Sequence, residues 1–107
     1  MKIIIAGAGE VGVHLAQMLT HEEQNIVLMD TDAKRLDEVK GSIEALVVAG
    51  NPLLIEDQEV AYVPGADLFV AVTPDQSTNM IACSIAKLVG AKHTIARVNN
   101  PEYLEAE

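Results

Sequence analysis

Hydrophobic and polar positions alternate in blocks along this chain. Five short apolar runs, "KIIIA" (2–6), "NIVLMD" (25–30), "EALVVA" (44–49), "DLFVAV" (67–72) and "HTIARV" (93–98), have the length and composition of buried strands. The stretches between them carry helical spacing. Residues 10–20 repeat apolar positions at Val11, Leu15, Met18 and Leu19. Residues 31–41 read as a short helix, with Thr31 as N-cap, Gly41 as stop, and Ala33, Leu36 and Val39 on its inner side. Residues 74–90 predict a longer helix, capped near Thr73 or Asp75 and ended by Gly90. From Met80 to Val89 it is apolar almost all round, which predicts burial. In "PLLIEDQEVAYVPG" (52–65) the apolar residues flank an acidic middle, and the expectation is a short helix with Pro52 in its first turn.

Strands alternating with helices predict a parallel sheet with right-handed crossovers. The fold class that follows is α/β: a Rossmann-like doubly wound parallel sheet in a single domain over residues 1–107. Its first strand lies between the second and fourth. Ligands of such sheets bind past the carboxyl ends of the strands, where the strand order reverses.

Composition narrows the picture. Half of the 107 residues are apolar but only 3% are aromatic, so the core is aliphatic, with Met18, Met29, Met80 and the few aromatics expected inside it. A formal charge of −9 argues against nucleic acid as a partner, and no basic cluster is present to grip anionic lipid. The single cysteine, Cys83, suits a reducing compartment. No run reaches the length of a membrane span, so direct membrane insertion is not expected. A cytoplasmic domain is the reading. The closing "NNPEYLEAE", with a helix start at Pro101 and about one turn after it, suggests a chain cut from a longer protein.

The first run leads into Gly7-Ala8-Gly9-Glu10-Val11-Gly12 and then directly into a helix. In such a turn the first glycine allows the bend, the second admits a pyrophosphate to the backbone, and the third lets helix and strand approach. The N–H groups opening the helix attract phosphate. Asp30 closes the second run, about 20 residues further on, where a carboxylate accepts hydrogen bonds from ribose hydroxyls. The alternative is a glycine turn that only packs a helix. A 2′-phosphate would meet Asp30 with like charge, which disfavours NADP, although Arg35 one helical turn away can soften that. Glu10 either repels a triphosphate or is a solvated acid at a helix start.

Catalytic apparatus is harder to find. His14 and His21 lie on or just after the first helix, and His93 opens the last strand at the end away from the ligand. Cys83 has no evident base beside it, and no metal spacing occurs. Thr73 closes the fourth strand opposite the glycine turn. Arg97, in the fifth, either reaches phosphate from that side or pairs with a local acid.

The segments "MKIIIAGAGEVG", "MDTDAKRLDEV", "ADLFVAVTPDQSTNMIACSIAKLVGAK" and "TIARVNNPEYL" together resemble the TrkA N-terminal (RCK-type) nucleotide-binding domains of Trk potassium uptake systems. The resemblance implies a regulatory module that binds NAD or NADH, or alternatively ADP or ATP, without turning them over. It implies a membrane potassium transporter subunit as partner, gated by ligand-dependent change, and a homo-oligomer in the full-length protein. It assigns phosphates to Gly7–Gly12, ribose to Asp30, the adenine end to Asn51, the crevice wall to Thr73 and Pro74, and ligand contact to Arg97. The segment 52–65 departs from the resemblance in lacking the family's usual amphipathic helix. The competing class is the NAD-binding half of a dehydrogenase whose catalytic domain is absent.

Overall fold

The structure, a computed structural model, describes residues 1–20, 22 and 24–99. Five strands, β1 (Lys2–Ala6), β2 (Asn25–Asp30), β3 (Leu46–Ala49), β4 (Leu68–Ala71) and β5 (His93–Ala96), form one parallel sheet in the order β3-β2-β1-β4-β5. The helices are α1 (Glu10–Thr20), α2 (Ala33–Val39), α3 (Ile55–Val60) and α4 (Gln76–Val89), with a 3-10 turn at Lys40–Ser42. This is the Rossmann-like doubly wound arrangement that the block pattern predicts, with β1 between β2 and β4.

Side chains along each strand alternate between two cores, one per sheet face. Ile3, Ile5, Ile26, Leu28, Val70 and Val72 pack with Ala16 of α1 and Leu36 of α2. Ile4, Ala6, Met29, Phe69 and Ala71 pack on the other face with Ala82, Cys83 and Ala86 of α4. β1 is central and nearly sealed, whereas the edge strands β3 and β5 contain no fully buried residue.

Several expectations need correcting. The strands β3, β4 and β5 are shorter than their apolar runs, so Arg97 lies one residue past β5. The N-cap of α2 is Asp32, not Thr31: its carboxylate accepts from the N–H groups of Lys34 and Arg35, both at 3.1 Å. Ala33 is exposed, and Gly41 sits inside the 3-10 turn rather than ending the helix with a positive φ. Pro52 is buried in a turn ahead of α3, which starts at Ile55. At α4 the structure selects Asp75 as N-cap, and Gly90 ends the helix at φ +117°.

The larger corrections concern which helix faces are buried. α4 turns Asn79, Ala82, Cys83 and Ala86 inward, and leaves Ile81 and Leu88 out, the latter 82% exposed. On α1 the inward residues are Gly12 and Ala16, while Val11 and Met18 face solvent. Met80 and Tyr62, also expected in the core, are exposed. The reason is common to both helices: they lie so close to the sheet that small residues fill the contact, and bulkier apolar ones are displaced outward. His21, Pro101 and Tyr103 lie outside the described residues.

Candidate functional site

The turn between β1 and α1 is built on three glycines with different duties. Gly7 has φ +117°, and a Cβ there would stand 3.0 Å from the Thr73 nitrogen at the end of β4. A Cβ on Gly12 would fall 1.7 Å from the Gly7 carbonyl oxygen, inside the turn itself. Gly9 differs from both. Its added Cβ would meet only the Arg35 guanidinium, at 3.6 Å, so nothing in the fold demands glycine there. That open approach to the backbone is what a pyrophosphate needs. The first N–H groups of α1 have no partner within the helix and aim its dipole at the same place.

Beyond the carboxyl ends of the strands lies a cavity of about 510 Å³, a size suited to a small organic ligand. One wall is Gly7, the end of β2 (Met29, Asp30) and the start of α2 (Thr31, Asp32, Arg35). The floor is Asn51, Pro52 and Leu53. The opposite wall is Thr73, Pro74, Asp75 and Thr78. Among these described lining residues Arg35 carries the single positive charge, against Asp30, Asp32 and Asp75. It also lines a smaller depression with Ala8, Gly9 and Glu10, so it stands beside the glycine turn and borders both spaces. Its contact with Asp32 is long, 4.0 Å, and half exposed, which leaves the guanidinium weakly held.

The Asp30 carboxylate accepts from the Ala8 N–H at 2.7 Å and from the Asp32 N–H at 2.8 Å. These bonds use one site on each oxygen, and an ionised carboxylate has about four. Asp30 is thereby oriented and retains acceptor capacity for a ribose diol. Asn51 is fixed by the Asp57 carboxylate, which accepts its N–H at 2.7 Å. The Asn51 Oδ1 accepts the Leu53 N–H at 2.9 Å, so its amide nitrogen is the group free to donate.

The opposite wall is knitted together differently. The Thr73 hydroxyl has Asn79 Oδ1 at 2.7 Å and the Asp75 carbonyl at 3.1 Å as acceptors, so its proton stays within the wall and it offers a ligand its place there. Asp75 accepts from the Ser77 N–H and the Thr78 hydroxyl. Arg97 is exposed and its N–H donates to Ala71, continuing the β4–β5 pairing; its side chain lies outside the cavity lining. Of the expected site residues, the cavity thus collects Gly7, Asp30, Asn51, Thr73 and Pro74, with Ala8, Gly9 and Glu10 on the far side of the turn. Val11 is on the solvent face of α1, and Gly12 supports the turn from beneath.

Sequence reasoning undervalued Arg35, whose place in the first turn after Asp32 was the available signal, and gave no role to Asn79. His14 and His93 are exposed. Cys83 donates to the Ile95 carbonyl at 3.3 Å, and burial pushes its thiol up from the ordinary value, which keeps it a protonated core group. No helix among the described residues is long and apolar enough to cross a membrane.

The TrkA-N domain family model matches residues 3–106. The chain is 39% identical over 105 residues to a Trk system potassium uptake protein TrkA homolog of Archaeoglobus fulgidus, covering 98% of this chain and 24% of the relative. It is 41% identical over 105 residues to the Trk system potassium uptake protein TrkA of Vibrio alginolyticus, covering 97% and 23%. The chain therefore spans about a quarter of the length of these curated relatives. Among solved structures, the NAD(P)-binding domain of an exopolyphosphatase-related protein from Archaeoglobus fulgidus is similar with a TM-score of 0.84 and 18% identity, covering 97% of this chain and 77% of that one. The Kef C-terminal domain of Shewanella denitrificans in AMP-bound form gives 0.74 and 19%, covering 89% and 57%. At these identities the two structures speak for the fold.

Proposed function

The chain belongs to the TrkA-N domain family, and on that premise we propose that it is the nucleotide-sensing module of a potassium uptake system. It binds NAD or NADH, with ADP or ATP as the alternatives, and passes the ligand state to a membrane transporter subunit on the cytoplasmic side. The observation that carries this reading is Asp30 hydrogen-bonded to the glycine turn: it faces the cavity that Gly7 also lines, with acceptor sites to spare, while Gly9 lies open on the adjoining depression that Arg35 borders as well. A ribose diol and a diphosphate match those two groups. A 2′-phosphate would meet Asp30 and Asp32 together, so NADP binds less well. A triphosphate adds charge beside Glu10, which favours a dinucleotide over ATP.

The module is a binder rather than an enzyme. The titratable side chains lining the cavity are Arg35 and three aspartates, and each aspartate accepts hydrogen bonds that fix a turn or cap a helix. Gating follows from population shift: the ligand favours one arrangement of assembled domains by its difference in affinity for the two, typically about 1–3 kcal/mol. In the full-length protein the module works as a homo-oligomer, and the exposed Val11 and Met18, neighbours on α1, are the candidate contact.

Thermal unfolding in NAD, NADH, NADP, ADP and ATP tests the reading. A ligand at 100 times its dissociation constant adds about 2.7 kcal/mol, a rise of roughly ten degrees for a domain of this size. Stabilisation by NAD or NADH with little from NADP is the expected result. No shift with any of the five would reject it.

A further inference from the structure

Asn79 is a polar residue with no exposed surface, on the inner face of α4. An asparagine amide offers two N–H donors and two acceptor lone pairs, and all four are used here. Its Oδ1 accepts the Thr73 backbone N–H at 2.9 Å and the Thr73 hydroxyl at 2.7 Å. Its Nδ2 donates to the Thr73 carbonyl at 2.9 Å and to the Arg97 carbonyl at 3.0 Å. One side chain thus grips three atoms of Thr73, two residues past β4, and ties them to the residue that follows β5. None of its bonds reaches β1, β2 or the glycine turn.

That geometry is specific to the residue type. Aspartate of the same shape could accept but not donate, and would take the donor from both carbonyls. Serine would reach too few of the four atoms. A buried network that is fully satisfied holds one arrangement, and a partly satisfied one does not. The far wall needs such an anchor because β4 ends at Ala71 and β5 at Ala96, before the residues that border the crevice.

We infer that Asn79 is a positioning residue that holds the far wall of the crevice in place for the second nucleoside of a dinucleotide. The inference rests on the proposed nucleotide site. A dinucleotide straddles the reversal of strand order, with one half on each side. Its adenosine half lies over Asp30 and the glycine turn, which Asn79 does not touch. Its other half lies against the wall of Thr73, Pro74 and Thr78. ADP occupies the first half alone.

Asn79 therefore governs affinity for the dinucleotide more than affinity for the mononucleotide. A residue needed only for folding would weaken both in proportion. The experiment is titration calorimetry with NAD and with ADP on the wild-type chain, Asn79→Asp and Asn79→Ser. NAD affinity falls about tenfold in the variants, as expected for roughly one lost hydrogen-bonded contact, while ADP affinity changes by less than about threefold. Equal loss of both ligands, or no loss of either, overturns the inference with the site itself intact.

Should both variants fail to fold, hydrogen exchange on the wild type decides. NAD, but not ADP, slows exchange at the Thr73 amide and the Asn79 side-chain amide; equal slowing by ADP, or none by NAD, overturns it. A wild-type chain that binds neither nucleotide rejects the proposed function, and the inference falls with it.

Discussion

The near wall of the crevice and the far wall handle their polar atoms in opposite ways. Around the glycine turn and the end of β2, bonding capacity is left pointing outward: helix-opening amides, the open face of Gly9, and the unused lone pairs of Asp30. Around Thr73 and the start of α4 the polar atoms satisfy one another. Asn79 bonds three atoms of Thr73, Asp75 caps α4, and the Asn99 N–H donates to Gln76 at 2.9 Å. One wall is built to make bonds with a ligand, the other to hold its shape while a ligand lies against it. The walls touch where Gly7 meets Thr73, at a distance that leaves no room for a side chain.

Glycine substitutions break this comparison most sharply. Gly12→Ala drives a Cβ into the Gly7 carbonyl, and because backbone cannot yield cheaply it should cost about 3 kcal/mol or more. A thermal melt would show a loss of ten degrees or greater. Gly9→Ala, three residues earlier, should leave the melting temperature within a few degrees, since only the movable end of Arg35 stands near. Its effect should fall on the ligand, with NAD affinity reduced about tenfold or more, where the methyl occupies the approach of the pyrophosphate.

Asp30→Asn comes next, because Asp30 holds the turn and, in the proposed site, faces the ligand as well. One of the two amides it accepts would lose its partner, a cost of about 1 kcal/mol. Removing the negative charge should also narrow the gap between NAD and NADP by about tenfold, read from paired titrations.

A control far from both walls sharpens the contrast. At the opposite end of the sheet Asp67 accepts the Lys2 N–H at 2.7 Å and the Lys92 ammonium at 3.2 Å. The Lys2 hydrogen bond, followed by that of Lys92, holds its carboxyl below the ordinary value. A lowered pKa in the fold means that the stabilisation is present above the unfolded carboxylate value and lost as pH falls through the folded one. Asp67→Asn should therefore lower the melting temperature at neutral pH, and match the wild type once both are acidified through that range. NAD affinity at neutral pH should not change.

The smallest effect belongs to Tyr62, which holds φ +65° just after α3. The Val63 N–H donates to Gln58 and the Tyr62 N–H to Glu59, a helix-ending motif whose left-handed position suits glycine. Tyr62→Gly relieves the strain but gives up backbone entropy, and should stabilise by about 0.5 kcal/mol. Denaturant melts can resolve it.

Both walls were legible in outline, the far one through Thr73 and Pro74, but the anchor that holds the far wall, Asn79, was not. Gly7, Gly9, Gly12 and Asp30 announce themselves through spacing and residue type, because backbone approach and ribose binding leave few substitutes. The strand order followed from the alternation of runs. Helix orientation did not, because the residues that face the sheet, Gly12, Ala16, Ala82 and Ala86, are small. A hydrophobicity pattern gives most weight to large residues, and here Val11, Met18 and Leu88 lie outside. Asn79 escaped notice for a related reason: within an apolar helix a lone asparagine reads as a surface position until its four partners, contributed by Thr73 and Arg97, are seen in place.

The most direct test of a nucleotide site at the glycine turn is to titrate NAD into the wild-type chain and Gly9→Ala side by side, with melting curves for both. The account predicts saturable binding by the wild type and a loss of about tenfold or more in the variant at nearly equal stability. Equal affinity in the two chains would contradict it, and would mean that the turn merely packs a helix against the sheet.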